Sequence, residues 1–375
     1  MLSDAEFTNP GGWTVVKRVR NPWGQVPLTA GGQSLSGHAQ RYMDELMSHA
    51  DSVDPDSRRH HYVPKTYLKH WSFDGRRVWT LDTKTGLAKP LGLRDVCVEE
   101  NFNRVVGPDG EPHNRVELIF GVVDKELARV QSLLIGLEDP NALEFDDLIG
   151  LGVTVSVQRN RTLQQRRLRL QHNHWLHVQN PDDFVSIENT EDEPFRLAGI
   201  HTELLFKSIW NAADVMTTRH IEIWDDPQGR FMTSDAPVIV PFKRNQRTDL
   251  ISTPYVIWPI SPFRTVALTN EPTGEKATIL LATGKHLGMV REGVEQGRER
   301  LIFASEAQSG RLPTGKKFRR RVQSRVRCSQ YKPSGEYIPP PGCCTAWHDT
   351  FADKPDIVLC NQGLHEPVPD IDKYA

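Results

Sequence analysis

The stretch HHYVPKTYLKHW, residues 60–71, decides where the ordered domain of this chain begins. Pro64 biases the residue before it towards an extended backbone and suits the first turn of a helix. The spacing of Tyr67, Leu68 and Trp71 then predicts a short helix over 64–71 with these side chains facing inward.

Two histidines precede this short helix. Because helix N-termini favour anions, His61 is a candidate to hold a phosphate or a carboxylate there. An unperturbed imidazole titrates near neutral pH, so His61 is equally a candidate proton donor. His60 beside it is a candidate ligand-binding residue.

The composition is that of a globular chain. The 375 residues are 38% hydrophobic and 25% charged, with a formal net charge of −2. This balance argues against disordered and fibrous classes, and it does not by itself indicate nucleic acid. No apolar run approaches the ~18 residues of a membrane helix, and the acidic, polar start differs from a signal peptide, so we expect no membrane association and a cytoplasmic protein. Five cysteines, an odd number, predict reduced thiols.

We expect three parts along the chain: an N-terminal arm over 1–57, a main domain over 58–306 and a basic, Pro-rich tail over 307–375. The patterns predict an α+β fold with a single main domain, in which several long helices pack with a small antiparallel sheet built from hairpins. The predicted long helices cover 40–50, 114–134, 145–178, 198–218 and 284–304. Within 145–178, three alternating valines also suit a strand.

The predicted sheet is made of short strands. A hairpin of 77–81 with 87–91 has Gly86 available for its turn, and a second hairpin joins 220–224 to 230–233. Further strands are predicted at 238–242, 255–259 and 265–269.

Several landmarks along the chain carry a family resemblance. They are HYVP at 61–64 with Tyr67-Leu68, Glu100-Asn101-Phe102, Val116-Glu117, QRNRT at 158–162, TSDAP at 233–237 and PISP at 259–262. In this order they resemble a bacterial family known only as domain of unknown function 4238, over residues 58–305. The resemblance implies a mostly helical α+β domain and carries no activity. This chain departs from the family at Lys65, where Gln is common, and at Ile260, where Leu is.

Four residues at these landmarks have reactive side chains, namely His61, Glu117, Arg161 and Asp235. If they converge, they suit metal-assisted cleavage of a phosphodiester. His61 would move a proton, Glu117 and Asp235 would bind Mg²⁺ or Mn²⁺, and Arg161 would balance the phosphate charge. The alternative is that the same groups form structural ion pairs.

The turn at 234–237 has its own structural alternative. Ser234 is a candidate ligand-binding residue and Asp235 a candidate metal ligand. The same Ser-Asp-Ala-Pro sequence suits an Asx-type turn, in which the carboxylate of Asp235 accepts backbone N–H groups.

Two basic stretches are candidate nucleic-acid contacts. The first, 158–179, carries the candidate ligand-binding residues Arg159, Arg166 and Arg167, and the second is the tail segment 311–327. Each has a plain alternative, a solvated helix face for the first and a solubilising tail for the second. No glycine loop for a nucleotide cofactor is present, and the C-terminal cysteines lack the Cys-x-x-Cys pairing typical of zinc sites.

Two functions from different classes stay open on the sequence. The first is a nucleic-acid-directed hydrolase, a nuclease-type effector of the kind used in phage defence or as a toxin, with the four residues as its centre. The second is a non-catalytic module that binds a phosphate-rich ligand, a nucleic acid or a protein partner. The oligomeric state cannot be read from the sequence.

Overall fold

The computed structural model describes residues 37–48, 53–107, 110–166, 193–241, 250, 253–270 and 277–315, together with short strand segments at 7–8, 14–15, 29–30, 33–34, 322–326, 330–331, 337–338 and 344–348. Residues 167–179 of the basic stretch, Arg167 among them, and residues 316–321 and 327 of the tail segment therefore lie outside the described residues. So do the side chains of the C-terminal cysteines.

Helices and strands alternate along the described chain in an α+β arrangement, which confirms the predicted fold class. The helices are α1 (His38–Ser48), α2 (Lys65–Lys69), α3 (Arg115–Gly136), α4 (Phe145–Asn160), α5 (Glu193–Thr217) and α6 (Gly284–Gly297), with 3-10 turns at Pro140–Ala142 and Glu306–Arg311. No described helix is both long enough and apolar enough to cross a membrane.

Two four-stranded sheets carry most of the β structure. The first has the order Tyr255–Ser261, Arg264–Thr269, His220–Asp225 and Ala277–Leu281, and its last two strands are parallel. The second has the order Met232–Ser234, Leu301–Ala304, Arg77–Asp82 and Leu87–Gly92, and is antiparallel throughout. Two smaller ladders pair Arg59–His61 with Val98–Glu100 and Val105–Val106 with Pro112–His113.

The HYVP segment forms the short helix that its pattern predicts. Tyr67, Leu68 and Trp71 are fully buried, and the predicted hairpin around Gly86 follows directly. The hydroxyl of Tyr67 lies 2.7 Å from Oγ1 of Thr233 in the second sheet and donates to the carbonyl of Pro259 in the first, at 2.5 Å. This one side chain therefore joins the HYVP helix to both sheets, and buried hydrogen bonds of this kind fix how elements dock.

Helix α3 confirms the predicted helix at 114–134, but α4 is shorter than predicted. The expected helix over 145–178 ends at Asn160, and a second helical segment begins at 163. Thr162 explains the break, because its Oγ1 accepts the N–H of Gln165 at 3.3 Å, as an N-cap residue does. The alternating valines are helical. Close packing on α5 requires Gly152, since a Cβ there would come within 2.5 Å of the Ala213 carbonyl oxygen.

The predicted hairpin of 220–224 with 230–233 is wrong. His220–Asp225 belongs to the first sheet, whereas Met232–Ser234 belongs to the second. The turn between them is held by Asp226, whose carboxylate accepts the backbone N–H of Arg230 at 2.6 Å and forms an ion pair with its guanidinium at 2.7 Å. The tight Asp-Pro-Gln-Gly turn passes the chain between sheets instead of folding it back on itself.

Two further predictions need correction. The predicted strand 238–242 reduces, among the described residues, to one bridge between Ile239 and Ile257. The predicted helix 284–304 is helical only to Gly297, after which Leu301–Ala304 is a central strand of the second sheet. Ile302 and Phe303 are adjacent and both buried, so this strand lacks the apolar–polar alternation that indicates a strand. The helical spacing of the preceding residues was therefore extended over it.

The hydrophobic core has two parts. The larger packs the two sheets against α2, α3 and α4, and the smaller lies among α1, α3, α4 and α5. Helix α1 falls within the predicted arm, yet Ala39 and Met43 are buried in the smaller core. Asp214 of α5 anchors it by accepting the N–H groups of Gly37 at 2.7 Å and Ala39 at 2.9 Å. The part of the arm that contains α1 thus packs against the main domain.

Candidate functional site

The strand Arg59–His61 separates the two histidines of the HYVP segment. Because successive side chains of a strand point to opposite faces, His60 is fully buried while His61 is half-buried at the surface. The two therefore have different roles, although they are adjacent in sequence.

His60 holds backbone in place. Its Nδ1 accepts the N–H of Asn103 at 2.9 Å, which leaves Nε2–H to donate to the carbonyl of Ser57 at 2.7 Å. Both ring nitrogens are thus engaged with the main chain. The expectation that His60 binds a ligand is not supported by these contacts.

His61 is the half-buried member of the pair. Its Nε2 lies 3.3 Å from the carbonyl oxygen of Leu93, so this nitrogen carries the proton and Nδ1 keeps a lone pair. Burial, then the positive charges of Lys65, Arg161 and Arg59, lower the pKa of His61 to about 4, against the raising effect of the Leu93 carbonyl. The imidazole is therefore neutral near pH 7, and it is placed to accept a proton rather than to donate one.

The loop at 101–103 follows the strand Val98–Glu100, which pairs with Arg59–His61, and it lies between this strand pair and α3 in the hydrogen-bond network. Asn101 has a φ of 56°, a left-handed conformation that asparagine tolerates better than most residues, and its N–H donates to the carbonyl of Arg58 at 2.7 Å. The side-chain amide of Asn103 donates to Oε1 of Glu117 at 2.6 Å. Asn103 therefore ties Glu117, in the first turn of α3, to the backbone that holds His60.

Arg161 lies at the C-terminal end of α4 and points towards α3. Its Nη1 is 2.7 Å from Oδ1 of Asp124, and its guanidinium lies over the ring of Phe120 at 5.2 Å. The arginine side chain is only 2% exposed, whereas that of Asp124 is 30% exposed. Among the described residues, Nε and Nη2 of Arg161 and both amide atoms of the buried Gln158, one turn earlier, have no hydrogen-bond partner.

Asp124 is the acid that the sequence reasoning missed. Burial, and then the charge of Glu117, raise its pKa, while the ion pair with Arg161 and the charge of Lys65 oppose this shift. Glu117 and Asp124 are seven residues apart, so they share a face of α3 and lie two turns apart. The i, i+7 spacing of Glu117 and Asp124 was a weak signal, because α3 also carries Glu126 and several basic residues. We call His61, Glu117, Asp124 and Arg161 the motif site.

The charges of these groups act on one another. Arg161 and Lys65 both lower the pKa of His61, and Arg161, Glu117 and Lys65 all influence Asp124. Three of the family landmarks, HYVP, Val-Glu and QRNRT, thus meet in the motif site.

Asp235 belongs to a different environment. Its Oδ1 accepts the N–H of Glu299 at 2.7 Å, and its Oδ2 accepts the N–H groups of Arg300 and Leu301 at 2.7 and 2.8 Å. The hydroxyl of Ser234, also fully buried, donates to the carbonyl of Ala236 at 3.1 Å and accepts the N–H of the same residue at 3.2 Å, within the turn. The role of Asp235 is thus structural, but it is not the expected Asx-type turn, because its carboxylate accepts N–H groups of the segment 299–301 and the local turn contact is made by Ser234. Both carboxylate oxygens are taken by the main chain, so the expected metal pair of Glu117 with Asp235 has no counterpart among the described contacts.

The arginines expected to contact phosphate turn inward where they are described. Arg159 donates to Oε1 of Gln164 at 2.8 Å. Arg166 donates to the carbonyl of Phe102 at 2.7 Å and lies 4.5 Å over the ring of the same residue. Burial lowers the pKa of each guanidinium to about 10. Arg159 thus contacts a neighbouring side chain just past α4, and Arg166 contacts the backbone of the loop at 101–103.

The metal expectation can be compared with the donor atoms at the motif site. Within the described part of the chain, no group of three or more His, Cys, Asp and Glu side chains is arranged to hold a metal ion. Glu117 already accepts the amide of Asn103, and Asp124 is paired with Arg161. A cation would have to compete with both contacts.

Comparison with known proteins gives one result. Searches of curated proteins and of solved structures found no match. The family described as "Protein of unknown function (DUF4238)" matches residues 59–280, more than half of the chain. The match begins within the HYVP strand, contains α2 to α5 and the first sheet almost entirely, and ends at the edge strand Ala277–Leu281. The chain therefore belongs to this family.

Proposed function

We propose that this protein is a hydrolase that cleaves phosphodiester bonds of nucleic acid at the motif site. The observation that carries the proposal is that a neutral imidazole and a carboxyl group of raised pKa both lie within the electrostatic reach of one buried arginine, which is paired with the carboxyl group. Pairs of groups whose surroundings push their pKa values in opposite, unusual directions are typical of acid–base catalysis.

The two groups suit complementary steps. Nδ1 of His61 would take a proton from a water molecule as the water oxygen bonds to phosphorus. Asp124, paired with Arg161 in the resting protein, would first take up a proton from solvent, which its raised pKa favours. It would then give this proton to the leaving oxygen as the P–O bond breaks, so one proton is taken and one is returned. The raised pKa of Asp124 brings its carboxyl group closer to the range in which it can donate a proton near neutral pH.

The surrounding cations suit a phosphate group. Arg161 balances Asp124 and adds positive potential from inside the protein, and Lys65 adds it from the surface. Nucleic acid is the substrate class that the basic composition of the stretches 158–179 and 311–327 favours, apart from the inward-turned Arg159 and Arg166.

Mg²⁺ or Mn²⁺ stays a prediction within this proposal. The acids of the motif site are the candidate ligands, with Asp124 in place of Asp235. No step above is routed through the ion, because each acid already has another partner.

Binding of nucleic acid without cleavage is the second candidate. The contacts of Asp235 favour this binding function. Its carboxylate accepts backbone N–H groups of Glu299 and Arg300, so one of the two expected metal ligands is already occupied. The cytoplasm, and a role as an effector in phage defence or as a toxin, are the setting in which we expect either activity.

The test is cleavage of a mixture of labelled RNA and DNA by purified protein, with Mg²⁺, with Mn²⁺ and with a chelator. His61→Ala, purified in parallel, excludes a contaminating nuclease. Cleavage that His61→Ala abolishes is the expected result. No cleavage in any arm, with salt-sensitive retention of the same nucleic acids, would replace the hydrolase with the binding module.

A further inference from the structure

We infer that Lys65 holds the anionic group of the ligand at the motif site, a role that the sequence pattern had assigned to Arg161. This inference rests on the proposed function, because the phosphate that Lys65 would contact is that of the proposed nucleic-acid substrate. It follows from the different accessibility of the two cations.

Arg161 is closed off from a ligand in solution. Its side chain is 2% exposed, it is paired with Asp124 at 2.7 Å and it is covered by Phe120 on one side. A phosphate oxygen within hydrogen-bond distance of its nitrogens would have to displace protein atoms. Arg161 therefore acts by holding Asp124 and by its charge.

Lys65 has the opposite properties. It is the first residue of α2, four positions after His61, and α2 packs against α3, which carries both acids of the motif site. Its side chain is exposed and forms no ion pair with any described residue. An ammonium group on a flexible stem can reach a phosphate as a point charge without a fixed geometry.

The influence of Lys65 reaches the reactive groups directly. Its positive charge acts on both His61 and Asp124. The charge of Lys69, one turn further along α2 and equally exposed, acts on His70 instead. The two lysines thus form a matched pair, with the same helix and exposure but different neighbours.

The experiment compares Lys65→Gln with Lys69→Gln by fluorescence anisotropy of labelled single-stranded RNA and DNA in a chelator, over a series of salt concentrations. We expect Lys65→Gln to make the plot of log Kd against log salt shallower by about 0.7, the value for one phosphate contact on a single strand, and Lys69→Gln to leave it unchanged. Unfolding curves of both variants should match the wild type, because both side chains are exposed.

Equal slopes for the two variants, or no binding by the wild type, would overturn the role of Lys65. Where the wild type cleaves, Lys65→Gln should raise KM with little change in kcat, since a contact made equally in ground and transition states changes KM alone. Salt-sensitive binding that depends on Lys65, without cleavage, would keep this inference and remove only the hydrolase.

Discussion

Two acidic regions of this molecule, the turn at 233–237 and the motif site, hold their carboxylates in opposite ways. Asp235 is fully buried, and its two oxygens accept three backbone N–H groups between 2.7 and 2.8 Å. Asp124 is partly exposed, faces one arginine and has a raised pKa. A carboxylate whose oxygens all accept backbone hydrogen bonds stabilises a fold, whereas a carboxyl group whose pKa is raised by its surroundings is a candidate for proton transfer. Position at a family landmark does not identify the reactive kind, because Asp235 stands at a landmark and Asp124 does not.

The largest effect should follow removal of the satisfied carboxylate. Asp235→Ala leaves three N–H groups just before and at the start of the strand Leu301–Ala304 without an acceptor, that of the buried Glu299 among them, so we expect a loss of ~3 to 5 kcal/mol in the free energy of unfolding. Urea denaturation measures it. Asp95→Ala, at an exposed turn, is the control and should change little. A loss below ~1 kcal/mol would show that the turn does not depend on this carboxylate.

Arg161→Met should have the next largest effect. It removes the ion pair with Asp124 and leaves that acid without its cation, which we expect to cost ~2 to 3 kcal/mol, less than a fully buried pair because Asp124 is partly exposed. Chemical denaturation at pH 7 gives the value. The loss should shrink at low pH, where Asp124 is protonated in both proteins; a constant loss would mean that packing on Phe120 dominates.

His61 should give a pH-dependent stability. Its pKa in the folded protein, about 4, lies below the unfolded value of 6.5, so the unfolded state binds more protons between these values and the stability falls as the pH is lowered through that window. After allowance for partial exposure, we expect ~1 to 2 kcal/mol between pH 7 and pH 4. The difference between the unfolding curves of wild type and His61→Gln isolates this contribution, and a flat difference would contradict it.

The smallest effect tests whether α1 unfolds together with the domain that contains both acidic regions. The hydroxyl of Tyr42 in α1 donates to Oε1 of Glu126 in α3 at 2.9 Å. Tyr42→Phe should therefore cost ~1 kcal/mol in the same cooperative unfolding transition. A separate early transition, or no change, would mean that α1 is an independent arm.

Local patterns predicted the elements that are held by near neighbours. The helix after Pro64 and the hairpin around Gly86 each follow from residues within the element itself. The strand pairing of 220–225 could not be read in this way, because its partners are 264–269 and 277–281 and the intervening Asp226 turn also suits a hairpin.

The site was predictable in part for a similar reason. His61, Glu117 and Arg161 stand at landmarks, and in the structure Arg161 acts on His61 while Arg161 and Glu117 both act on Asp124. Asp124 and Asn103 stand at no landmark. Their roles depend on facing Arg161 and Glu117 across helices and loops, which is information that one sequence does not contain.

The most direct test of this contrast compares the nucleic-acid cleavage rates of wild type, His61→Gln and Asp235→Asn. Each rate is divided by the folded fraction that the unfolding curve of the same protein gives. His61 has one weak hydrogen bond at 3.3 Å, so its variant should stay folded yet lose ~100-fold or more of the rate, the usual contribution of a general base. Asp235→Asn should be less stable but retain the rate once corrected. A corrected rate that is lost in Asp235→Asn and retained in His61→Gln would contradict the assignment of the motif site as the catalytic centre.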